Sequence, residues 1–103
     1  MRMQNDPFQR LLKIVRKRYP HLRAKVYFGE WTDPCKGYTF FPNDSPIPEI
    51  YVRVDNSVMQ AVDVLAHELA HVIAGPESFH KKKWKRSFQW IRREYVKAVK
   101  EQT

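Results

Sequence analysis

Seventeen residues, from Val58 to Ala74, constrain the fold of this chain more than any other segment. Val58, Ala61, Val62, Val64, Leu65, Leu69, Val72 and Ile73 recur at helical spacing and cover most of a helix circumference. A helix apolar on nearly every side has to be surrounded, so this one is expected to be the buried centre of the molecule. Its ends are marked. Ser57 and Gln60 make a capping box at the start, and Gly75 followed by Pro76 is a stop signal. At 103 residues the chain reads as one domain, 1–103, and a domain this small buries only about 60–65% of its unfolded surface. The other segments are therefore expected to wrap this one helix.

Ahead of it, Asn5 or Asp6 can cap a helix opened by Pro7, with Phe8, Leu11, Leu12, Val15 and Tyr19 on its apolar face and Pro20 as its end. Three β-prone stretches follow. Residues 24–30 place Ala24, Val26 and Phe28 on one face, and Gly37–Phe41 is the second stretch. In Glu49–Val54, the third, Ile50, Val52 and Val54 alternate inward while Tyr51 and Arg53 point outward. Turn-forming residues separate them, at Asp33-Pro34 and between Pro42 and Pro48. Beyond Pro76 a last helix is expected from about Phe79 to near Lys100, with Phe88, Ile91, Tyr95 and Val99 on its apolar face. The pattern predicts an α+β fold: an N-terminal helix, a small three-stranded antiparallel sheet, the central helix and a C-terminal helix.

Within the greasy central helix lies a polar interruption, His67-Glu68-Leu69-Ala70-His71. Two residues four apart share a helix face, about 6 Å apart along the axis, so both imidazoles can reach one ion. Zinc takes neutral imidazole nitrogen, and its catalytic sites keep one position open for water. Glu68 follows the first histidine directly, where its carboxylate can take a proton from water on the metal and pass it to a leaving group. The alternative is a pair of buried histidines satisfied by ordinary hydrogen bonds. A third ligand is needed, and His80, nine residues after His71 and past the Gly75-Pro76 break, is the first choice. Glu94 and Glu77 are its rivals. Asp63, one turn before His67, is a candidate outer partner of that histidine or a solvated surface residue. His21 reads as an ordinary exposed residue.

Nineteen Lys and Arg against eleven Asp and Glu leave a formal charge of +8, a field that attracts nucleic acid, anionic membrane or acidic protein. The densest cationic run is Lys81, Lys82, Lys83, Lys85 and Arg86, around Trp84. Its cations can neutralise phosphates while Trp84 stacks on a base. Alternatively Trp84 and Phe88, four apart, turn into the core and the cations solvate the outer face. Cys35 is the only cysteine, which excludes an internal disulfide and a four-cysteine zinc ribbon. No stretch approaches the roughly 20 apolar residues that span a bilayer, and Met1 to Asp6 is polar. The expected state is a cytoplasmic monomer with no membrane partner.

The segment VLAHELAHVIAG followed by HKKKWKRSF resembles the SprT-like metalloprotease domain, in which an H-E-x-x-H helix leads through a glycine-containing turn to a third histidine ahead of a basic-aromatic run. The preceding pattern fits as well: a strand ending in Trp31, a Gly37-Tyr38 strand, and EIYVRVDNSV feeding the helix. The resemblance covers roughly residues 22–92, and the same arrangement is similar to the YgjP-like zinc proteins. It implies His67, His71 and His80 as zinc ligands, Glu68 as catalytic acid and base, and a role in proteolysis of proteins trapped on DNA. The metzincin pattern does not fit, because Ala74 stands at its glycine position and Glu77 at its third-histidine position.

These readings lead to one expectation: a zinc-dependent hydrolase that cleaves peptide bonds through a metal-bound water activated by Glu68, on a protein or peptide lying along a sheet edge. The positive field and the YgjP-like similarity leave room for a metal-dependent nucleotide hydrolase. A closed four-ligand zinc would instead make a non-catalytic module that binds nucleic acid or protein. Tyr38, Tyr51 and Tyr95 are candidates for polarising a substrate carbonyl.

Overall fold

The computed structural model describes residues 6–31, 35–54, 57–76 and 80–101. The elements run α1 (Pro7–Arg18), β1 (Lys25–Gly29), β2 (Gly37–Phe40), β3 (Glu49–Arg53), α2 (Val58–Ala74) and α3 (Lys82–Glu101), the expected α+β order. Asp6 caps α1: its Oδ1 accepts from the Phe8 and Gln9 amides at 2.9 and 3.3 Å. Asn5, the other candidate cap, lies outside the described residues. Ser57 Oγ accepts from the Gln60 amide at 3.1 Å and starts α2. At the other end Gly75 has φ 99° and ψ 163°, a conformation open in practice to glycine alone. Its amide donates to the His71 carbonyl at 2.9 Å, and the helix stops there.

The sheet corrects the sequence reading. Its order is β1-β3-β2, with β3 parallel to β1 and antiparallel to β2, so it is mixed and not wholly antiparallel. The physical reason lies in β3, whose Ile50 and Val52 are fully buried. The most apolar strand takes the centre, where both of its edges are paired, and the two less apolar strands become edges. Sequence adjacency, which favours a simple meander, is overridden by burial. Val54, expected to point inward, lies beyond the end of β3 and is 40% exposed.

Register fixes which residues face α2. Val26, Ile50 and Thr39 align across the sheet, as do Phe28, Val52 and Gly37. These alternate with the row Tyr27, Tyr51 and Tyr38, which occupies the opposite face. There the tyrosine rings stack, Tyr27 on Tyr51 at 5.1 Å and Tyr51 on Tyr38 at 4.7 Å between centroids. Phe28 finds its partner in Phe8 of α1, edge to face at 4.8 Å.

Helix α2 is the core, as its composition requires: Ala61, Val62, Leu65, Ala66, Leu69, Ala70 and Ala74 are all buried. Sheet, α1 and α3 cover it on three sides. Helix α3 buries Trp84 and Ile91, with Phe88, Tyr95 and Val99 half-buried beside them. It begins at Lys82; Phe79, the expected start, falls outside the described residues. No described helix is long and apolar enough to cross a membrane.

Candidate metal centre

His67 and His71 stand one turn apart on α2, and His80 arrives from the turn ahead of α3. The Nε2 of His80 lies 3.1 Å from that of His71 and 3.2 Å from that of His67. Ligating atoms of all three lie within 4.8 Å of one another. A ring nitrogen offers one proton or one lone pair, so His80 cannot satisfy both neighbours by hydrogen bonding. One cation can accept a lone pair from each. Nitrogens set tetrahedrally at about 2.0–2.1 Å from zinc stand roughly 3.3–3.4 Å apart, close to the separations here. The three residues therefore fit a metal ion.

Burial prepares these nitrogens. It lowers the pKa of His71 to about 4, with the neighbouring His67 and His80 adding to the effect. His67 is lowered by burial first and then by His80, against an opposing pull from Asp63. Both shifts keep the rings neutral at physiological pH, which is the form that donates a lone pair to a metal.

Trp84 forms the floor. Its ring centroid is 4.5, 4.7 and 5.4 Å from those of His80, His67 and His71, and Phe88 stacks behind it at 5.0 Å. The indole Nε1 donates to the His67 carbonyl at 3.2 Å. Trp84 thus turns inward and is not offered to a nucleic-acid base, while Lys81, Lys82, Lys83, Lys85 and Arg86 are exposed.

Glu68, next to His67, points toward β2 and is the one buried charged side chain among the described residues, 6% exposed. Thr39 Oγ1 donates to its Oε1 at 2.7 Å. Burial raises the Glu68 pKa, and the Thr39 hydrogen bond opposes that rise. Oε1 is therefore occupied, and Oε2 retains its lone pairs for another proton. A carboxyl with a raised pKa, held in one orientation, suits proton transfer.

Gly37, two residues before Thr39 on the same face, allows this approach. A Cβ there would come within 2.5 Å of Val64 Cγ1 and 2.9 Å of the Tyr51 carbonyl oxygen. The first contact is to α2 and the second to the backbone of β3, so Gly37→Ala is expected to push β2 away from both and to cost about 1–3 kcal/mol. A urea titration checks this; a wild-type midpoint would show that strand and helix can separate at no cost.

The other sequence candidates fall elsewhere. Asp63 is exposed and pairs with Arg92 at 3.5 Å, so it reaches His67 only through its field. Glu94 lies along the α1–α3 side with Ile14, Lys17 and Trp90. Among the described residues the three histidines are the only group of this kind that could hold a metal ion, and Glu94 is not in it. Glu77 lies outside the described residues. His21 is exposed, as expected. None of the three tyrosines joins the cluster. Tyr38 and Tyr51 occupy the far face of the sheet, where the Tyr51 hydroxyl donates to Glu49 at 2.7 Å and its pKa is raised to about 12, by that hydrogen bond first and burial second. Tyr95 sits in a cleft with Leu11, Met59 and Ile91. Sequence reasoning missed Thr39 and Gly37, whose importance depends on a register that only the paired strands reveal. Compared with protein-family models, with curated proteins and with solved structures, the chain matches none.

Proposed function

We propose that this protein is a zinc-dependent peptidase, and the observation that carries the reading is the meeting of three imidazole nitrogens, with the residue after His67 a buried glutamate held by Thr39. An all-nitrogen set of three neutral ligands suits zinc among common cellular cations, whereas magnesium and calcium take oxygen. Among the described residues the cluster stops at three ligands, which suits a catalytic site with one open corner more than a closed structural site with four. The ion, held by His67, His71 and His80, would supply Lewis acidity, polarising a carbonyl and making water easier to deprotonate.

The protein's own groups do the rest. Glu68 takes the proton at Oε2 as water adds to the scissile carbonyl, and returns it to the amine as the carbon–nitrogen bond breaks. Thr39 holds Oε1, so the carboxylate does not swing between the two jobs. The outer edge of β2 has no strand beside it among the described residues, and an extended peptide paired there would pass Glu68. The SprT-like resemblance of the motif agrees with this reading.

The experiment that tests it loads the chain with zinc and offers unfolded casein-like protein beside nucleoside triphosphates. Hydrolysis of the protein alone is expected. Hydrolysis of the nucleotides alone would replace this reading with a nucleotide hydrolase.

A further inference from the structure

We infer that the rim of the metal centre selects acidic polypeptide segments; the cleavage part of this rests on the peptidase reading, the binding part does not. Trp84 touches all three histidine rings, so its side of α3 looks into the centre. At about 100° per residue, Lys83 and Lys85 flank Trp84 on either side, while Lys82 and Arg86 turn toward the far face. Lys81 follows His80 directly, and its carbonyl already accepts the Lys85 amide at 3.0 Å, so it stands on the near flank with Lys85.

Lys81, Lys83 and Lys85 are exposed, and no carboxylate among the described residues pairs with them; the pair Asp63–Arg92 lies further along the helix. The three side chains that could hold a metal are imidazoles, which carry no negative charge, so nothing in that set offsets the lysines. A substrate approaching His80 therefore meets three cations at the start of α3, Lys81 just before it and Lys83 and Lys85 in its first residues. The occupant argued for is polypeptide and not single-stranded nucleic acid. The aromatic member of the run is turned inward, and the tyrosine row lies across the opposite face of the sheet, so among the described residues neither Trp84 nor that row offers a base a ring to stack on beside these cations.

The test uses two labelled decapeptides of matched length, one rich in Asp and Glu, one in Ser and Gln. Binding is read by anisotropy on the metal-free chain, and kcat/KM on the zinc-loaded chain. In low salt the acidic peptide is expected to be favoured about tenfold in both readouts, a preference that shrinks toward unity at high ionic strength. Lys81→Glu/Lys85→Glu should abolish or reverse the preference, whereas Lys82→Glu/Arg86→Glu, with the same change in net charge, should keep most of it. Equal binding and cleavage of both peptides, or equal loss in the two double variants, overturns the inference and leaves the peptidase reading standing. Retained acidic binding with no cleavage of either peptide removes the peptidase reading and upholds the rim. Tighter, rim-dependent binding of a single-stranded oligonucleotide without acidic preference would reassign the surface to nucleic acid and overturn it.

Discussion

Glu68→Gln is expected to lower peptide hydrolysis by about a hundred- to ten-thousandfold while one zinc per chain stays bound, the range over which positioned acid–base groups contribute. Gln keeps the shape of the side chain and an oxygen that can accept from Thr39 Oγ1, now 2.7 Å from Glu68 Oε1, so packing between α2 and β2 is preserved. It removes a buried group whose charged form burial disfavours, so the melting temperature should stay level or rise. Loss of rate without loss of metal or stability separates a proton-transfer role from a structural one. Thr39→Val provides the graded companion. It removes the one hydroxyl seen on the carboxylate and should cost about tenfold in kcat with little change in KM, and Thr39→Ser should restore most of it. A Glu68→Gln protein as fast as the wild type ends the general-base assignment.

His80→Ala is expected to abolish tight zinc binding, exceeding the roughly 10–100-fold loss typical when only an outer partner of a metal ligand is removed. Two nitrogens on one helix turn remain, and two donors leave the ion half-solvated. The loss should also appear in folding. Zinc at about a hundred times its dissociation constant stabilises a chain that binds it only when folded by about 2.7 kcal/mol. For a domain of this size that is a rise of roughly 10–20 °C in Tm. Calorimetry with and without zinc should show this rise in the wild type and in Glu94→Ala, and show none in His80→Ala. Zinc content equal to wild type in His80→Ala, or lost in Glu94→Ala, would place the third ligand elsewhere and dissolve the site described above.

Much of this centre was legible in the linear chain because its geometry is local. Positions 67 and 71 share a face through helical periodicity, and Gly75-Pro76 forces the turn that brings position 80 back. Trp84 was readable in the same way, since its spacing from Phe88 matches a buried helix face. Thr39 and Gly37 were not. They lie 29 and 31 residues before Glu68, counting from their numbers, and nothing in their neighbourhood marks one as a hydrogen-bond donor to a distant helix. The strand that carries them reads only as β-prone.

What the sequence determined, then, is what short-range stereochemistry controls: the starts of α1 and α2 through their caps and the end of α2 through its stop signal, a central helix through its apolar circumference, and three histidines within reach of one ion. What the tertiary structure alone decided is strand order, strand direction and the partner of Glu68. Those depend on which strand loses most water by taking the middle of the sheet. That is a competition among whole segments, and Ile50 and Val52 win it by being completely enclosed.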